Sequence, residues 1–145
     1  MQIEIINNIF SEYQFNKVEI SQILDTIIQN ENCSFALINI ILENDEFLRN
    51  LKKEYFNQDV YTDVISFNLE DPNTPIEGEI YISLPRIISN SKKYRHSLNN
   101  EFKRIIIHGL LHLVGYNDNT KLDKQQMTSL ENKYINLSQG EIISH

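Results

Sequence analysis

Residues 34–42, Ser-Phe-Ala-Leu-Ile-Asn-Ile-Ile-Leu, form an apolar run rich in β-branched side chains. Such a run, lacking the alternation of a half-exposed strand, reads as a strand buried on both faces. A chain that holds one must cover both sides of a sheet, and the flanking segments provide the elements to do so. Residues 2–6 alternate as a short strand does, and residues 17–29 place Val18, Ile20, Ile23, Leu24, Ile27 and Ile28 at helical spacing. Asn44 or Asp45 is suited to cap a helix through Phe47, Leu48, Leu51 and Tyr55. Residues 62–67 and 79–83 read as strands separated by a turn at Asp71-Pro72-Asn73-Thr74-Pro75.

From Pro85 onward the chain reads as helical. A helix is expected from Pro85 to Tyr94, with proline tolerated in its first turn. Residues 98–114 set Leu98, Phe102, Ile105, Ile106, Leu110 and Leu113 on one broad stripe. Thr120 with Asp123 resembles a capping box that opens a last helix, with Leu122, Met127, Leu130, Tyr134 and Leu137 expected inward. The order is roughly βαβαββααα. It predicts an α+β fold over residues 1–145 as one domain: one mixed sheet of about four strands packed with about five helices. A chain of 145 residues with 4 Gly and 3 Pro suits one regular, ordered core.

Cys33 is the only cysteine, which excludes an internal disulfide, and its apolar neighbours argue for a small buried hydrophobe rather than a nucleophile. The N-terminal Met-Gln-Ile-Glu-Ile-Ile stretch has no basic region followed by an apolar core, and no run approaches the ~18 apolar residues of a membrane span. A cytoplasmic protein without membrane contact is expected. The net charge is −7, but Arg86, Lys92, Lys93, Arg95, Lys103 and Arg104 are opposed between 86 and 104 by Glu101 alone. That segment is +5, which leaves −12 on the rest.

Chemistry is concentrated in His108-Gly109-Leu110-Leu111-His112-Leu113-Val114-Gly115-Tyr116-Asn117-Asp118. Side chains four apart on a helix lie about 5–6 Å apart on one face, so both imidazoles can reach one ion. Gly115 falls where that helix should stop, because glycine enters the left-handed region at little cost. The chain can then turn back and bring Asp118 to the same ion, one per chain, for which the donor set suits Zn²⁺ or another divalent transition metal. Three protein ligands leave a fourth position open, the mark of a catalytic zinc site. The spacing also parallels the metzincin pattern, but Gly109 stands in the slot of that pattern's general-base Glu and Asp118 in that of its third His. A peptidase therefore lacks its proton acceptor.

These residues resemble the YbeY family of bacterial endoribonucleases, whose motif reads H-G-x-x-H-L-x-G-Y-D-H. Two further blocks are similar: Thr62-Asp63-Val64-Ile65-Ser66-Phe67 to the family's T-D-V-L-S-F, and Gly78-Glu79-Ile80-Tyr81-Ile82-Ser83 to its G-D-I-x-I-S. The resemblance implies a divalent metal at His108, His112 and Asp118, and a single-strand-specific endoribonuclease. It also implies action on RNA, in 16S rRNA 3′-end maturation and ribosome quality control, with the small ribosomal subunit as partner. The chain departs from the family at Asp118, where a third His is usual, at Asn117, where Asp is usual, and at Phe56, where the family's Y-R-x-x-D block has Arg. Arg104, one turn before His108, is then expected beside the site to offset developing charge, with Arg86, Lys92, Lys93 and Arg95 as a phosphate-attracting rim. Two other readings are a metal-stabilised ribosome-assembly factor with little hydrolysis, and a zinc hydrolase of other substrates.

Overall fold

The computed structural model describes residues 2–69 and 74–145. The elements run β1 Gln2–Ile6, β2 Gln14–Phe15, α1 Lys17–Glu31, β3 Phe35–Glu43, α2 Asp45–Phe56, β4 Val64–Asn68 and β5 Ile76–Ser83, followed by α3 Leu84–Lys93, α4 Leu98–Val114, α5 Lys121–Leu137 and β6 Ile143–Ser144. The mixed α+β architecture is the expected one. Two short strands, β2 and β6, were not foreseen. They pair antiparallel with each other, apart from the main sheet. Of the expected turn, Asp71, Pro72 and Asn73 lie outside the described residues.

The main sheet has the order β1-β3-β5-β4. β3 pairs parallel with β1 and β5, and β4 closes the edge antiparallel to β5. The apolar run is thus an interior strand, and Ile38, Ile40 and Leu42 are buried. Helices cover both faces. Phe47 of α2 stacks on Tyr81, and Phe56 stacks on Phe67. On the opposite face α4 rests on β4 and β5, with Ile80 of β5 and Ser66 of β4 beneath Gly109. A Cβ on Gly109 would meet Ile80 Cγ2 at 2.9 Å and Ser66 Oγ at 3.0 Å, and Ser66 Oγ donates to the Gly109 carbonyl at 3.0 Å. The helix can seat this closely only because residue 109 has no side chain.

Each helix begins at a polar cap: Asn16, Asn44, Ser83, Ser97 and Thr120 accept from the backbone N–H of the third residue on. Thr120 and Asp123 complete the expected capping box. α4 is buried almost all round, so that its stripe widens to include Ile107 and Leu111. The inward set of α5 is corrected at its ends. Met127 and Tyr134 are buried, whereas Leu122 and Leu137 are exposed, because the first and last turns run past the body they pack on. Val18 is likewise on the outer side of α1.

Candidate metal centre

Helix α4 carries His108 and His112 on one side of its last two turns. It stops at Gly115, whose φ of 122° no L side chain adopts comfortably, and the Tyr116 N–H returns to the Leu111 carbonyl at 3.0 Å. The turn carries Asp118 back over the helix end. His108 Nε2 and His112 Nε2 are 3.0 Å apart, and Asp118 Oδ2 lies 3.4 Å from the first and 3.5 Å from the second. Asn117, the residue before it, is exposed. The structure therefore brings together the three residues expected from the sequence.

What the other ring nitrogens do decides what these atoms are. His112 Nδ1 is 2.9 Å from the Tyr116 carbonyl, which can only accept, so Nδ1 donates and Nε2 keeps its lone pair. His108 Nδ1 donates to Glu131 Oε2 at 2.7 Å, which in the neutral ring leaves Nε2 its lone pair in the same way. Two nitrogen lone pairs and a carboxylate oxygen thus face one point. Donors each about 2.0–2.2 Å from a tetrahedral ion lie about 3.3–3.5 Å from one another. The observed triangle is close to one face of such a tetrahedron. The group can hold a metal ion.

Glu131 was not anticipated from the sequence. It is buried, accepts from His108 through one oxygen and from Arg104 Nη1 through the other at 3.1 Å. The available signal was its place on the inner face of α5, between Met127 and Tyr134, where a carboxylate must find partners. A second carboxylate holds this arrangement from behind. Glu31, at the end of α1, accepts the hydroxyls of both Tyr116 and Tyr134.

Two cavities meet at the metal-ligand group. The larger, about 540 Å³, is lined by Lys52, Phe56 and Ser66 together with both histidines. The smaller, about 360 Å³, is lined by Tyr94, Arg104, Lys124 and Glu131. Asp63, His108 and Asp118 belong to both walls. Burial pushes the Asp63 carboxyl above the usual carboxylate range. For His108, burial opposes the charged imidazole, but the bond to Glu131 and the charges of Glu131, Asp118 and Asp63 outweigh it, so its pKa is raised.

The expected basic residues take different places. Arg104 lines the smaller cavity with its guanidinium bonded to Glu131 and, at 2.9 Å, to Asn132 Oδ1. Arg86 lies away from both cavities, paired with Asp45 and set over the Tyr61 ring. Lys93 lies over the ring of Tyr94, which lines the smaller cavity, and Lys92 and Arg95 are exposed and line neither cavity.

A sequence model described as Endoribonuclease YbeY matches residues 4–139. The chain belongs to the YbeY family. An Endoribonuclease YbeY of Amoebophilus asiaticus is 39% identical over 112 residues, 77% of this chain and 76% of that one. One from Karelsulcia muelleri is 38% identical and covers 83% of this chain and 85% of its own. One from Cytophaga hutchinsonii is 34% identical and covers 88% and 90%. The fold is similar to the solution structure of TM1509 from Thermotoga maritima, with a TM-score of 0.63 at 24% identity, over 93% of this chain and 87% of that one. No helix among the described residues is long and apolar enough to cross a membrane.

Proposed function

We propose that this protein is a metal-dependent endoribonuclease that cleaves single-stranded RNA in the maturation of the 16S rRNA 3′ end, as a single cytoplasmic domain working with the small ribosomal subunit. The observation that carries this reading is the convergence of His108, His112 and Asp118 at the junction of two cavities. A polymer cut internally must continue on both sides of the broken bond, and this centre has room on both. The relatives' name, Endoribonuclease YbeY, supports its endoribonuclease part.

The donor set of two imidazoles and one carboxylate suits zinc, with His108, His112 and Asp118 as ligands. When bound, the ion supplies Lewis acidity at a phosphodiester. Glu131 fixes His108 in the tautomer that presents Nε2, and the Tyr116 carbonyl does the same for His112. Arg104 balances the Glu131 charge and keeps a positive group at the wall of the smaller cavity, near the phosphate. Lys92, Lys93 and Arg95 form an outer rim that draws the strand in, whereas Arg86, neutralised by Asp45 and lining neither cavity, takes no part in it.

The test is cleavage of single-stranded and duplex RNA of one sequence by zinc-loaded and chelated protein. Cutting of the single strand only, abolished by chelation, is expected. Metal analysis of His112→Ala and Asp118→Ala should show loss of the ion in both, and full retention would remove the ligand set. Product ends distinguish the nucleophile: a 2′,3′-cyclic phosphate means attack by the RNA 2′-hydroxyl. One observation favours the assembly-factor reading. Gly109, packed on Ile80, leaves no place for a general base at the second position of the motif. Metal-loaded protein that sediments with the small subunit but cuts no rRNA fragment would establish it instead.

A further inference from the structure

The larger cavity holds a cation to which no role has been given. Lys52 and Phe56 are four apart on α2 and so share one face of it. The Lys52 ammonium lies 4.7 Å from the centroid of the Phe56 ring, and that ring is stacked in turn on Phe67, with centroids 6.0 Å apart. Phe56 thus acts as a platform that lays the lysine along the cavity wall rather than out into solvent.

Its neighbours on the helix are already committed. Lys53 pairs with Asp59 at 3.5 Å, and Arg49 Nε bonds the same carboxylate at 2.6 Å. No carboxylate of the described residues pairs with Lys52. It is half-buried, and it is the only lysine or arginine among the described residues lining this cavity. An aromatic face attracts an ammonium without neutralising it. A partly desolvated cation that pairs with no carboxylate of the described residues, in a chamber shared with metal-binding side chains, fits an anionic group brought in by the substrate.

We infer that Lys52, seated on Phe56, binds a backbone phosphate of the RNA strand in the larger cavity, next to the one at the metal centre. This rests on the endoribonuclease reading and names a contact within it. Lysine serves phosphate as a point charge, so the contact holds the strand without reading its sequence.

The test compares wild type with Lys52→Met, Lys52→Arg and Lys53→Met. Binding of a fluorescein-labelled single-stranded RNA is followed by anisotropy with metal-free protein over a range of salt, and KM and kcat are taken with the zinc-loaded form. Lys52→Met should raise Kd and KM about tenfold, as for loss of a charge-assisted bond, with kcat within about twofold. The slope of log Kd against log salt should fall by about 0.7, the value for one phosphate of a single strand. Lys52→Arg should restore binding, and Lys53→Met, which removes the same charge outside the cavity, should change neither quantity. Equal Kd and slope for wild type and Lys52→Met would overturn the inference, as would equal losses from Lys52→Met and Lys53→Met. Lys52-dependent binding without cleavage would keep this contact and refute the nuclease.

Discussion

Glu131 joins two side chains whose charges it must reconcile. One oxygen takes the His108 Nδ1 proton and the other takes Arg104. Glu131→Gln keeps the shape but removes the charge, and such outer partners of a ligating histidine typically contribute 10–100-fold in affinity. Zinc affinity measured by competition with a chelator should fall by about that factor, while the three ligands remain. His108 also sets a pH dependence of opposite sign in the two forms. Its raised pKa in the metal-free fold means its stabilising contribution is fully present below the unfolded value of about 6.5 and is lost as pH rises through the folded value. Zinc needs the deprotonated ring, so its contribution grows over the same interval. The melting-temperature gap between loaded and free protein should widen from about pH 6 to 8. A gap independent of pH would remove His108 as a ligand. The ligands were legible because four-residue spacing and a glycine stop are local patterns. Glu131 was not, since 23 residues separate it from His108 and only the packing of α5 on α4 joins them.

The two glycines of the His108–Asp118 segment do different jobs, one inside α4 and one just past its end. Gly115 has open space around its missing Cβ and is required by its φ of 122°, whereas Gly109 is required by contact with Ile80 and Ser66. Gly109→Ala should therefore destabilise the fold by about 1–3 kcal/mol, the usual range for overpacking, measured by urea denaturation. It should also weaken zinc binding, because the shift it forces occurs one residue from His108. If Gly109→Ala melts like wild type, the close seating of α4 on the sheet is wrong. The same contact accounts for the empty general-base slot: the position faces the sheet and not the cavity. All five helices were readable from period and caps. β2 and β6 were not, because two residues cannot display an alternation and their pairing spans most of the chain.

The whole chain carries −7, yet the segment 86–104 is +5, and its exposed Lys93 lies over Tyr94, which lines the smaller cavity. Long-range attraction sets association rate more than final affinity. A Lys92→Gln, Lys93→Gln, Arg95→Gln triple variant should slow RNA association at low salt by about tenfold and lessen its salt dependence, with zinc content unchanged. Stopped-flow rates that match wild type would dismiss the rim. The apolar run at 34–42 disclosed that a buried strand lies at the heart of the sheet, but not the order β1-β3-β5-β4, which depends on where the crossing helices settle. The paired cavities also bear on turnover. If a strand lies across the wall formed by Asp63, His108 and Asp118, scission leaves each daughter end in its own chamber with its own mouth. Neither fragment has to back out past the other, so the cycle can be completed without the scaffold opening.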